Sequence, residues 1–86
     1  MTQFIAKIRI TLRKGILDVQ GKTVENALHS MEFQPISNVR IGKYVELMVS
    51  AESKDAAFAL VDSACKKLIA NPIIEDYLID MTEQNI

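Results

Sequence analysis

Val39, Ile41, Val45, Leu47 and Val49 fall on one parity, and Asn38, Arg40, Tyr44, Glu46 and Met48 on the other. Strict alternation over so long a stretch is the signature of a strand with one buried and one wet face. Gly42-Lys43 interrupts the middle. A two-residue hairpin turn there would set Ile41 opposite Tyr44 and Val39 opposite Glu46, mixing polar and apolar residues on one face. A single long strand, bent or bulged near Gly42, keeps the faces clean. A strand over 38–50 would run about 40 Å at about 3.3 Å per residue. The apolar periodicity that follows, over 54–70, spans only about 25 Å as a helix at about 1.5 Å per residue. Part of the strand then overhangs its own domain. An overhanging edge with unpaired backbone groups calls for a partner, and a sheet-extending homodimer is the simplest one.

Around this strand the other elements fall into place. Phe4, Ala6, Ile8, Ile10 and Leu12 alternate with Lys7, Arg9, Thr11 and Arg13, a second amphipathic strand that Lys14-Gly15 ends. Ile16 to Gly21 reads as a loop. Val24, Ala27, Leu28 and Met31 take helical spacing over about 22–32, and Pro35 bars its continuation. Ser53 is a candidate N-cap for the second helix, whose stripe is Ala57, Leu60, Val61, Ala64, Leu68 and Ile69. Asn71-Pro72 stops it. Tyr77, Ile79 and Met81 mark a last strand over about 73–81, and a frayed tail is expected from Thr82 to Ile86. The order is β-α-β-α-β: an α+β two-layer sandwich with two helices on one face of a small, mostly antiparallel sheet. If Gly42-Lys43 turns instead, the result is a ferredoxin-like βαββαβ fold.

The 86 residues are expected to form one domain, 1–86, with a limited core, which again favours self-association. A net charge of −1 argues against nucleic acid as a partner. A single cysteine, Cys65, makes no intrachain disulfide. The opening Met1-Thr2-Gln3-Phe4 has no signal-peptide pattern, and no apolar run approaches the roughly 18–20 residues of a membrane span. The expected compartment is the cytoplasm.

Catalytic chemistry finds little support. One Cys and one His on different elements do not make a zinc site. Cys65, at the margin of the second helix's stripe, reads as packing, and His29, on the polar face of the first, as solvated. Glu75 and Asp76 point to opposite faces of a strand and cannot share a proton. Three glycines, Gly15, Gly21 and Gly42, are too few for a phosphate loop, and Gly21-Lys22 reads as a plain helix start. The sheet lacks the aromatic run of an RNA-recognition motif. The polar and aromatic residues Arg40, Lys43 and Tyr44, with Asn71, Glu75 and Tyr77 around the last turn, are the candidate interface.

Three segments resemble one known family. Leu17 to His29, LDVQGKTVENALH, is similar to the LDPQGKAVENALH signature of the PurS family. Val39 to Leu47 is similar to its VRVGKYIEL strand, and Lys67 to Tyr77 to its KLLANPVIEDY segment. Val19 stands where the family usually has proline, and Glu32 where it usually has glycine after the helix. The resemblance implies a non-catalytic subunit of phosphoribosylformylglycinamidine synthase. That enzyme joins a glutaminase subunit and a large synthetase subunit in de novo purine synthesis, and uses ATP and Mg. The small subunit bridges the two and supports ammonia transfer, with no catalytic, cofactor or metal residues of its own. It implies a homo-oligomer, dimer or tetramer, with no nucleic acid or membrane partner. An alternative of another class is an ACT-like module that binds a small molecule for regulation; fold alone does not separate the two.

Overall fold

A computed structural model describes residues 1–84. The elements are β1 (Thr2–Leu12), α1 (Val19–Ser30), β2 (Lys43–Ala51), α2 (Lys54–Ala64) and β3 (Glu75–Glu83). The α2 axis continues into one π-helical turn, Cys65–Ile69. β1 lies in the middle of a three-stranded antiparallel sheet ordered β2-β1-β3. The expected α+β class, the β-α-β-α-β order and the antiparallel sheet are all present.

The core lies where alternation placed it. Phe4, Ala6, Ile8 and Ile10 of β1 are buried, with Met81 of β3 beside them. Val45, Leu47, Val49, Tyr77 and Ile79 pack around them half-buried. α2 covers this face through Ala57, Val61 and Cys65. Small residues at 57 and 65 bring the helix axis close to the strands. Ser53 caps α2 as expected, its hydroxyl accepting from the Ala56 N–H at 3.1 Å. Two stripe residues depart from expectation: Leu60 is 57% and Leu68 86% exposed. The true centre of the stripe is rotated toward Cys65, which is fully enclosed.

The two helices do not share the sheet. α1 makes no substantial contact with a strand or with α2. Its only buried residue is Gly21. Val24 and Met31, expected to face a core, are 39% and 66% exposed. The molecule is accordingly elongated, 52 × 31 × 14 Å. The reason is local. α1 begins earlier than its apolar spacing indicates, because Asp18 is its N-cap and accepts from the Gly21 N–H at 2.8 Å. The second Asp18 oxygen accepts from the Ile41 N–H and Glu25 from the Val39 N–H, which ties α1 to residues 38–42 and not to the strands.

Gly42-Lys43 makes no hairpin turn. The β1–β2 ladder begins at the Ile10–Lys43 pair and runs to Thr2–Ala51. Residues 38–42 lie beyond it, so the long middle strand is shorter than the alternation indicates and the ferredoxin-like alternative does not occur. β3 runs to Glu83, so Thr82 and Glu83 belong to the sheet and not to a frayed tail; Asn85 and Ile86 lie outside the described residues.

Candidate functional site

Where β1 ends, side chains take over from strands. The Asp18 carboxylate accepts from the Gly21 N–H through one oxygen and from the Ile41 N–H through the other, at 2.7 Å. Glu25 of α1 accepts from the Val39 N–H at 3.1 Å. These bonds tie residues 38–42 to α1 as one arm that projects past the sheet. Backbone donors from Gly21, then Ile41, hold the Asp18 carboxyl below the usual carboxylate range. Two glycines make the close approach possible. A Cβ at Gly21 would stand 2.3 Å from the Val39 carbonyl oxygen, and one at Gly42 would stand 2.4 Å from that of Ile10. The Arg40 guanidinium donates to the Leu12 carbonyl at the base of the arm. An open cleft of about 370 Å³ lies here, lined in part by Arg13, Lys14, Asp18, Lys22 and Arg40.

α1 ends in a tight backbone turn. The Phe33 N–H reaches the Leu28 carbonyl at 2.9 Å and the Glu32 N–H that of His29 at 3.2 Å. This is a Schellman cap, and Glu32 takes its left-handed position at φ 71° without being glycine.

The six sequence-selected interface residues fall into three groups. Lys43 and Glu75 meet across the end of the sheet at 3.4 Å. Asn71 joins them, its N–H donating to Glu75 at 2.7 Å. Arg40 and Tyr44 lie on the arm and on the outer sheet face, and Tyr44 is 57% exposed. Its hydroxyl donates to Glu46 at 3.0 Å, and desolvation, then Glu46, raises its pKa. Tyr77 is turned the other way, half-buried, donating to Asp62 of α2 at 2.6 Å. That bond pushes the phenol up to about 12 and, with Lys66, holds the Asp62 carboxyl low.

Sequence reasoning passed over Asp18 and Glu25, which build the arm. The available signal was an N-cap acid three residues before Gly21, masked by reading 16–21 as loop. It also passed over Arg13, which pairs with Asp76 at 3.4 Å and whose backbone N–H donates to the Ile74 carbonyl at 2.9 Å. The outer face of the sheet has no helix. Lys7 lies between Glu46 and Asp80, and Arg9 between Tyr44 and Leu78.

Nothing in this arrangement gathers a reaction centre. Cys65 is sealed in the core, where burial and then Asp62 push its thiol up. His29 lies on the detached arm, with Nε2 2.7 Å from the Ile36 carbonyl oxygen. Among the described residues no three His, Cys, Asp or Glu side chains converge as metal ligands would. No helix of those residues is long and apolar enough to cross a membrane. A projecting arm, an uncovered sheet face and two open edges define a small α+β interaction module.

Comparison with known proteins makes this specific. The PurS family, described as phosphoribosylformylglycinamidine (FGAM) synthase, matches residues 5–83. The chain is 43% identical to the FGAM synthase subunit PurS of Bacillus subtilis over 77 residues, 90% of each chain. The solved PurS of Methanocaldococcus jannaschii superposes with a TM-score of 0.86 at 32% identity, covering 95% of this chain and 99% of that one. A chain in the structure of PurLQS from Thermotoga maritima superposes with a TM-score of 0.84 at 33% identity, covering 98% and 100%. The chain belongs to the PurS family.

Proposed function

We propose that this chain is the small, non-catalytic subunit of a phosphoribosylformylglycinamidine synthase. It bridges a glutaminase subunit and a large synthetase subunit and supports ammonia transfer between them. The reading rests on the full-length match to a chain of the Thermotoga PurLQS structure. The geometry supports it: a helix, α1, that makes no substantial contact with the sheet or with α2 of its own chain is the anatomy of a subunit. The assembled ligase uses ATP and Mg, held by the synthetase and not by this chain, and works in the cytoplasm. The subunit self-associates, because a single copy leaves α1 and two sheet edges uncovered. Arg40, Lys43, Tyr44, Asn71, Glu75 and Tyr77 are the proposed contact residues, with Tyr77 acting through its hold on Asp62.

Removing this subunit from a matched glutaminase and synthetase should abolish glutamine-dependent turnover and leave ammonia-dependent turnover. Equal glutamine-dependent rates with and without it would defeat the bridging role. Tight capture of a free amino acid by the isolated chain would favour a regulatory module instead.

A further inference from the structure

Four of the ten basic side chains line one cleft. Arg13 and Lys14 follow the end of β1, Lys22 stands in α1 near its start, and Arg40 comes from the arm. Three separate stretches of chain thus converge on a space of about 370 Å³. That is the small end of the range that holds small molecules. Several other cations of the chain are matched by its own acids. Lys43 meets Glu75 at 3.4 Å and Lys66 meets Asp62 at 3.1 Å. Lys7 stands between Glu46 and Asp80.

In the cleft the match is incomplete. Arg13 is held by Asp76 at 3.4 Å and donates to the Pro72 carbonyl. Lys22 reaches Glu25 only at 3.9 Å, and its side chain is 62% exposed. Lys14 and Arg40 make no ion pair among the described residues. The two acids in the lining do not offset this. Both Asp18 oxygens accept from backbone, from Gly21 and from Ile41, and Glu25 accepts from the Val39 N–H. These carboxylates build the wall. Arg40 spends one donor on the Leu12 carbonyl and keeps the rest of its fork.

We propose that this cleft binds the phosphate group of a small phosphorylated molecule. Lys14, Lys22 and Arg40 donate to the phosphate oxygens, and Ile16, Leu17 and Val39, which share the lining, pack against the organic remainder. A phosphate suits the site better than a carboxylate. It presents three acceptor oxygens out of one plane, so donors arriving from three stretches of chain each find one. The site lies within a single copy and depends on no other subunit. It also has a consequence for the arm. Lys14 belongs to the end of the sheet, and Lys22 and Arg40 to the arm. α1 makes no substantial contact with the strands. A phosphate held by all three ties the arm to β1 and fixes the angle at which the arm is presented.

Calorimetric titration of the whole chain at fixed ionic strength tests the site, with pyrophosphate, adenosine 5′-monophosphate, adenosine and citrate as probes. Both phosphates should bind and adenosine should not. Lys14→Glu should weaken both at least about tenfold, and Lys22→Gln should weaken them less. Lys54→Glu makes the same change in net charge at the opposite end of the sheet and should leave both unchanged. Amide exchange at Gly21 and Ile41 should slow at saturating phosphate. Equal weakening by Lys54→Glu would overturn the site, since net charge alone would then explain the binding. Failure of both phosphates to bind would also overturn it. Citrate binding as tightly as pyrophosphate would overturn the phosphate assignment in favour of an acidic segment of another protein. Binding with unchanged exchange at Gly21 and Ile41 would overturn the tie between arm and sheet.

Discussion

The two edges of the sheet are strands of equal length, nine residues each, and both leave a row of backbone groups open. They differ in side chains. β2 and the arm leading into it carry Arg40, Lys43 and Glu46, both signs spaced along the strand. β3 carries four acids and no base. The helix layer repeats the contrast, apolar at Leu60 and Ala64 beside β2 and charged at Asp62 and Lys66 beside β3. Backbone geometry alone makes both edges equally able to pair. For the self-association proposed above, the mixed signs of the β2 edge favour pairing there over the acidic β3 edge.

The strongest way to break this comparison is from beneath the β2 edge. Val45→Asp or Leu47→Asp places a charge on the half-buried inner row. It should cost about 2–4 kcal/mol and abolish association as well. Urea unfolding read together with sedimentation checks both; loss of stability without loss of association would separate β2 from the interface.

A narrower cut removes the arm and spares the sheet. Gly21→Ala sets a methyl group against the Val39 carbonyl and Asp18, and should cost about 1–3 kcal/mol, concentrated in residues 18–42. Amide shifts of β1 and β3 should stay put while those of Val39 and Ile41 move. Low pH attacks the same anchor. The Asp18 pKa is lower folded than unfolded, so its contribution is complete above about pH 4 and is lost as the pH falls through the folded value. The Gly21 and Ile41 amides should report that transition, and Asp18→Asn should erase it.

Cys65→Ala should cost about 1–2 kcal/mol through lost burial and leave both edges and glutamine-dependent turnover nearly unchanged. Complete loss of activity in a variant that still assembles would contradict a packing role. The smallest effect is a gain. Glu32→Gly relieves the left-handed cap and should stabilise by about 0.5–1 kcal/mol, net of the added freedom of the unfolded chain. Thermal unfolding checks it.

Most of the fold was legible because its strands are amphipathic. Phe4, Ala6, Ile8 and Ile10 alternate cleanly, and all four are buried. Ser53 and Asn71-Pro72 bounded the second helix for the capping and breaking reasons given. The placement of α1 was not legible. Val24, Ala27, Leu28 and Met31 show that a helix has an apolar face, not what covers it, and an exposed apolar face has the same spacing as one packed on the core. Likewise the parity of 38–50 was real but did not reveal that Asp18 and Glu25 replace β1 along its first residues, because that exchange is between residues 14 and 23 apart in sequence. Among the proposed contact residues, Lys43, Asn71 and Glu75 converge, whereas Tyr77 faces Asp62, since parity alone placed it on the core side.

Amide hydrogen exchange along the two edges tests the contrast most directly. The Tyr44, Glu46 and Met48 N–H groups aim outward from β2, and those of Tyr77, Ile79 and Met81 aim outward from β3, since the Arg13 N–H donation to Ile74 fixes which β1 groups face that strand. At high protein concentration the first three should exchange slowly and the second three fast, and dilution should release the first three. Fast exchange at Tyr44, Glu46 and Met48 at every concentration, or slow exchange confined to β3, would contradict the account.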